Sequence, residues 1–266
     1  MEKIKFGMPT LIELSSLEET LKLCNELSLD FIELNMNLPQ YQIEQLEEVE
    51  RLRMSAEQHQ LFYTIHLDET LNVCDFNKEV AKAYQNTVER AIQAARQLKI
   101  PVLNMHMNHG VHFTLPDRKV HLFAQYKQEY LQAMREFRSM CEKAIGPDGI
   151  KICIENTDGF LEYEKEAVEL LLESKAFALT WDIGHSHAVK DIDEPFIMKH
   201  KQRLEHFHIH DALGEQNHRT LGTGEINLRN RLDLARQLGC RCVVETKTVD
   251  ALRKSVEWLR KEQYGS

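Results

Sequence analysis

Leu204-Glu205-His206-Phe207-His208-Ile209-His210-Asp211 is the stretch on which the reading of this chain turns. Its three histidines recur at every second position. In a strand, successive side chains point to opposite faces, so all three imidazoles share one face. Each imidazole has two nitrogens to satisfy, which makes such a row poor packing filler. The row makes chemical sense if it ends at a metal ion. A polar run follows through His218 and Arg219 to Gly222-Thr223-Gly224, whose glycines permit a tight turn around a ligand. His206, the deepest of the three, is expected to be a satisfied interior histidine.

Short apolar runs alternate with longer helix-period segments on both sides of this stretch. Strands are expected at Ile4–Gly7, Phe31–Leu34, Phe62–His66, Val102–His106, Ile150–Glu155, Phe177–Asp182, Leu204–His210 and Cys242–Glu245. The first helix opens with Ser16-x-x-Glu19, a capping box, and carries Leu17, Leu21, Cys24 and Leu27 on one stripe. A second spans Ile43–His59, its acidic Glu44–Glu50 portion facing solvent. Val80 to Leu98 and Leu122 to Cys141 give two more, closed off by Pro101 and by Gly146-Pro147. Leu252, Ser255, Val256 and Leu259 mark the last helix.

Eight such alternations predict a parallel sheet closed into one (β/α)8 barrel. An open doubly wound sheet is the alternative, but no G-x-G-x-x-G follows the first strand. With 266 residues and 42% hydrophobic composition, the chain can bury a full core. No linker or repeat divides it, so one domain over residues 1–266 is expected. The formal charge of -9 disfavours a general nucleic-acid binder. The six cysteines include no C-x2-C pair, and nothing reads as a secretory signal, so reduced thiols and a cytoplasmic setting are expected. Nothing approaches 18 consecutive apolar residues, so no membrane span is expected. Homo-oligomers are common among soluble enzymes, and one is open here.

In a parallel barrel the chemistry sits at the carboxyl ends of the strands. Here those ends collect His66, His106, Glu155, Asp182, His185, His208 and Glu245. Singly, a His or Glu closing a strand is an ordinary hydrogen-bonded group. Together, the carboxylates would repel one another and drive their pKa values upward unless a cation offset them. Mixed imidazole and carboxylate donors suit zinc, manganese or a similar divalent metal. The segments Leu67–Lys78 and Met107–Lys119 follow two of these ends and are expected to cover the site, with Phe76, Phe113 and Phe160 as candidate rings over a bound ligand. Trp181 alternates with Asp182 and is expected to pack outward, and Lys247 is expected to be a solvated lysine.

Glu155-Asn156, Asp182-Ile183-Gly184-His185, His208-Ile209-His210-Asp211, Leu221-Gly222-Thr223-Gly224 and Glu245 together resemble the xylose-isomerase-like barrel superfamily, over nearly the whole chain. That superfamily holds sugar isomerases and epimerases and the type IV abasic-site endonucleases. The resemblance implies one divalent ion (Mn, Zn, Co or Mg) on Glu155, Asp182, His208 and Glu245. It also implies substrate contacts from His185 and from His218 or Arg219. The endonuclease branch binds three zincs, and His66, His106, His185 and His218 match its pattern. Where that branch expects an Asp two residues before His218, this chain has Gln216. His66 and His106 are therefore expected to bind substrate or a second ion.

The implied chemistry is isomerisation or epimerisation of a small sugar, sugar phosphate or hydroxy-keto acid through a metal-stabilised enediolate. Glu155 and Glu245 are the expected acid–base pair, facing each other across the barrel mouth. Alternatives are dehydration of a polyol or inosose at the same site, or zinc-dependent phosphodiester hydrolysis at abasic DNA.

Overall fold

The computed structural model describes residues 3–265. Eight parallel strands form a closed barrel: β1 Phe6–Pro9, β2 Phe31–Asn35, β3 Phe62–His66, β4 Val102–His106, β5 Lys151–Glu155, β6 Phe177–Asp182, β7 Leu204–Ile209 and β8 Arg241–Val244. Each pairs with its sequence neighbours, and the ring closes where Phe6 and Gly7 of β1 meet Cys242 and Val243 of β8. The strand bounds agree with the sequence reading to within one residue at each end except at β1, which runs two residues later than expected. Asp30 accounts for its start, because its carboxylate accepts the Phe6 N–H (2.9 Å).

The helices lie outside. Leu17–Glu26 begins at Ser16, whose hydroxyl accepts the Glu19 N–H (3.3 Å). The return bond of the expected capping box goes one residue further, to the N–H and hydroxyl of Ser15. The expected second helix is two pieces, Ile43–Leu46 and Val49–His59. Glu44 and Glu48 stand four apart, a repulsive spacing on a helix, and the break lets Glu47 take a two-bond fork from Arg90 (2.7 Å each). Lys78–Leu98 buries Val88, Ala91, Ile92 and Ala95 and ends at Lys99, just before Pro101. The fourth predicted helix is interrupted at Tyr126, giving Leu122–Gln125 and Lys127–Ile145. Among the described residues, no helix is long and apolar enough to cross a membrane.

The main apolar core lies between the strands and these helices. Trp181 belongs to it, fully buried, its indole N–H on Ser186 Oγ (2.7 Å) and the Arg231 guanidinium above its ring. Inside the barrel the character changes along the axis. Val102, Cys153 and Ala178 form a small separate apolar cluster at the amino end, and Phe31 packs near the His206 ring. Above them the inward positions are mostly polar: Glu33, Thr64 and His206, then His66, Asn104, Glu155, Thr180, Asp182 and His208, all buried. The six cysteines are buried and unpaired.

Candidate metal centre

The alternation of β3 to β8 delivers one or two polar side chains to the carboxyl end of the barrel, at the strand end or just beyond it, and strand register brings them level. Asp182 on β6 is paired with His208 on β7, which is paired in turn with Val243 on β8, two residues before Glu245. His106 on β4 is level with Glu155 on β5. His208 sits at the centre. Its Nδ1 lies 3.0 Å from Glu155 Oε1 and 3.0 Å from Glu245 Oε2. Glu155 and Glu245 thus both reach the same imidazole nitrogen. With β6 and β7 between their strands, they converge on one nitrogen.

Each carboxylate has its own support. Glu155 Oε2 accepts from the Asn104 amide and from His106 Nε2 (3.1 Å), with His66 Nε2 at 3.4 Å. Asp182 caps the helix Ile183–Ala188 by accepting the His185 N–H (2.7 Å). It also faces His210 Nε2 (2.9 Å) and His185 Nδ1 (3.2 Å). Glu245 Oε1 accepts from Lys247 Nζ (2.8 Å) and lies 3.6 Å from His218 Nε2. Lys247 is exposed, as expected of a solvated lysine, and also pairs with the site through Glu245. Arg219, beside His218, turns to Gln216 Oε1 instead (3.3 Å).

The charges follow from these contacts. Burial would raise the carboxyl of Glu155, but His208 and His106 outweigh it and hold it well below the usual range. Glu245 is likewise held low, by His208 and His218 against its burial. Asp182 is lowered by His185 and His210 against the same cost. Burial alone would lower His208, yet Glu155, Glu33 and Glu245 push it well above the ordinary imidazole value. His66 is pushed up to about 9, the bond and charge of Glu155 overcoming burial.

Two sequence motifs acquire a physical reason. A Cβ on Gly184 would fall inside the His210 ring, so only glycine lets that imidazole reach Asp182. In Leu221-Gly222-Thr223-Gly224, Asp211 gathers the loop. Its carboxylate accepts N–H groups from Ala212, Gly222, Gly224 and Ile226, and a Cβ on Gly224 would strike it. Of the candidate rings over a bound ligand, Phe160 is buried against Phe196 and Phe76 packs edge-on to Phe123 and Tyr126. Phe113 stays exposed on a hairpin formed by His112–Thr114 and Lys119–His121.

Glu155, Asp182, His208 and Glu245 each present a ligand atom within 4.8 Å of the others. The donor set fits a divalent cation: three ionised carboxylates and an imidazole nitrogen already aimed among them. His66–Glu155–His208 and His185–His210–His218 form neighbouring sets of the same kind. Three members of this network were not assigned from sequence. Asn104, inside the expected strand Val102–His106, and His210, last of the three alternating histidines, had no role assigned. Glu33, a lone acid inside the apolar run Phe31–Leu34, carried a signal in that isolation.

No curated protein matches the chain. Solved structures of similar fold include a D-tagatose 3-epimerase-like protein, 23% identical, covering 98% of this chain and 97% of that one at a TM-score of 0.77. The 3-keto-D-glucoside 4-epimerase YcjR from E. coli is 16% identical, covering 97% of this chain and 100% of that one, with a TM-score of 0.76. The IOLI protein, solved with a bound zinc atom, is 15% identical over 98% of this chain and 96% of that one (TM-score 0.73). Residues 21–262 match the family model for xylose isomerase-like TIM barrels, and with its closed eight-stranded barrel the chain belongs to that family.

Proposed function

We propose that this chain is a divalent-metal-dependent epimerase or isomerase of a small sugar, sugar phosphate or hydroxy-keto acid. The observation that carries this reading is the convergence of Glu155, Asp182, His208 and Glu245, with ligand atoms within 4.8 Å of one another at the carboxyl end of the barrel. These four residues would hold the ion, and their mixed donors suit Mn, Co, Zn or Mg. When bound, the cation supplies a Lewis acid that polarises a substrate carbonyl and its neighbouring hydroxyl. The epimerase names of two similar folds and the zinc atom in a third support the assignment.

The remaining chemistry belongs to the side chains. Glu155 and Glu245 are ionised and shielded from water, as a base for a proton α to a carbonyl must be. In one direction Glu155 takes that proton, while Glu245, protonated from solvent before the step, delivers one to the opposite face of the carbon; the pair then resets by exchanging protons with solvent, and the reverse direction exchanges their roles. His66, kept charged beside Glu155, donates to oxygen on which negative charge develops. His106, His185 and His218 offer further donors to substrate hydroxyls.

The three-zinc nuclease alternative lacks support at one position. Gln216, which stands where that branch has an Asp two residues before His218, is exposed and bonded to Arg219, so that carboxylate is missing from this chain. The net charge of -9 is also unsuited to gripping duplex DNA. The direct test is incubation with a panel of ketoses and aldoses in D2O with added Mn, Co or Zn. Deuterium should enter at the carbon next to the carbonyl, read by NMR. Absence of exchange across the panel, with metal bound, would remove the reading.

A further inference from the structure

Glu33 lies below the four candidate ligands, inside the barrel on β2, and is 1% exposed. A carboxylate in such a place loses its hydration, and only a full set of partners offsets that cost. The partners are present. Oε2 accepts from Thr64 Oγ1 (2.9 Å), level with Glu33 on the adjoining strand, and from His206 Nε2 (3.0 Å). Oε1 lies 2.8 Å from Nε2 of His208. The His208 contact is short but bent from the N–H direction, and that nitrogen has no hydrogen-bond partner elsewhere among the described residues.

These contacts fix where protons reside. Thr64 Oγ1 and His206 Nε2 both fall on Oε2 of Glu33, which leaves Oε1 to accept, so the hydrogen of its 2.8 Å contact with His208 sits on Nε2 of that ring. The opposite nitrogen, Nδ1, is the one that faces Glu155 and Glu245. A histidine that binds a metal through one nitrogen commonly donates the other N–H to a carboxylate, which sets its tautomer and ring orientation.

We infer that Glu33 is a positioning residue for the cation: it keeps the His208 proton on Nε2 and leaves Nδ1 as the donor facing Glu155, Asp182 and Glu245. This rests on the metal reading above. Glu33 itself touches neither ion nor substrate. Its neighbour His206 braces it from the side, which gives a role to the deepest histidine of the β7 row.

The test uses Zn2+ titration against a competing chelator, with Glu33→Gln and the parent protein compared. Glutamine keeps the size and removes the charge. Affinity in Glu33→Gln should fall about 10- to 100-fold, the usual consequence of losing such a partner, with the circular dichroism spectrum retained. In parallel, long-range 1H–15N spectra of the Zn2+-loaded parent should show His208 coordinated through Nδ1 and protonated on Nε2. A purely structural role would move the melting temperature but leave the affinity within about twofold, and that result would overturn the inference. Coordination through Nε2 would overturn it equally. If Glu33→Gln does not fold, the parent spectrum decides alone. A parent protein that binds no divalent ion would instead defeat the proposed function, and the two failures are distinct.

Discussion

Asn156 grips the main chain of Asp182 from both sides: its side-chain amide donates to the Asp182 carbonyl (2.9 Å) and its side-chain carbonyl accepts the Asp182 N–H (2.9 Å). The same amide reaches Ser186 Oγ (3.2 Å), which also takes the Trp181 N–H and donates to Asp193. The residue after one candidate ligand therefore fixes the backbone of another.

Replacing Asn156 with Ala leaves the buried Asp182 N–H unpaired, while the Asp182 carbonyl keeps its bond at the start of the helix Ile183–Ala188. A buried polar group left unsatisfied costs about 1–3 kcal/mol, so Asn156→Ala should lose roughly 2 kcal/mol of stability in urea denaturation. Metal affinity should fall with it, since the Asp182 carboxylate loses its anchor. A variant as stable as the parent would show that water replaces the amide at no cost.

Glu155→Gln and Glu245→Gln probe the proposed proton transfer. Positioned acid–base groups contribute about 10²–10⁴ in rate, so each variant should lose at least about a hundredfold in turnover of whichever sugar exchanges deuterium. Both should fold, because glutamine keeps the shape. Activity within about tenfold of the parent in both would remove these residues from the acid–base role.

A bound ion should be visible without any substrate. A ligand that binds only the folded state stabilises it by about 2.7 kcal/mol at a hundred times its dissociation constant. Melting temperature should therefore rise on adding Mn2+ or Zn2+ and fall back with EDTA. Asp182→Asn should abolish the rise. A shift of equal size in Asp182→Asn would place the ion elsewhere on the protein.

The barrel was legible because each strand announced itself by an apolar run ending in a polar residue, and the ring needs no more than eight such units. The rim was legible for the same reason: Glu155, Asp182, His208 and Glu245 close strands, and strand ends meet. What the chain order hides is angular position. Glu155 and Glu245 were expected as a pair at the mouth, and only the closed sheet reveals that both approach His208 Nδ1. Asn156 shows a different limit, since nothing in its spacing says that it reads another strand's backbone. Glu33 was obscured by depth, because strand-end reasoning looks at the mouth and not one layer below it. The helix breaks near Glu47 and Tyr126 escaped because the apolar seam runs through both.

One pH-dependent contribution lies away from the metal centre. His109 Nδ1 is 2.6 Å from Glu164 Oε1, a carboxylate with a fully buried side chain that also accepts the Leu161 N–H (2.8 Å). The hydroxyl of Tyr163 donates to the His109 carbonyl (2.8 Å), so this clasp ties the segment after β4 to the helix Glu162–Leu172. The bond to Glu164 raises the His109 pKa, more than burial lowers it. A histidine with a raised folded pKa contributes stability that is fully present below its unfolded value of about 6.5. That contribution fades as pH climbs through the higher folded value. Because the imidazole is one-third exposed, solvent screening limits it to roughly 0.5–1 kcal/mol. The melting temperatures of parent and His109→Gln should thus differ most near pH 5.5 and converge toward pH 9. A gap that stays constant across this range would mean that the clasp holds through a neutral hydrogen bond, with no charge on the ring.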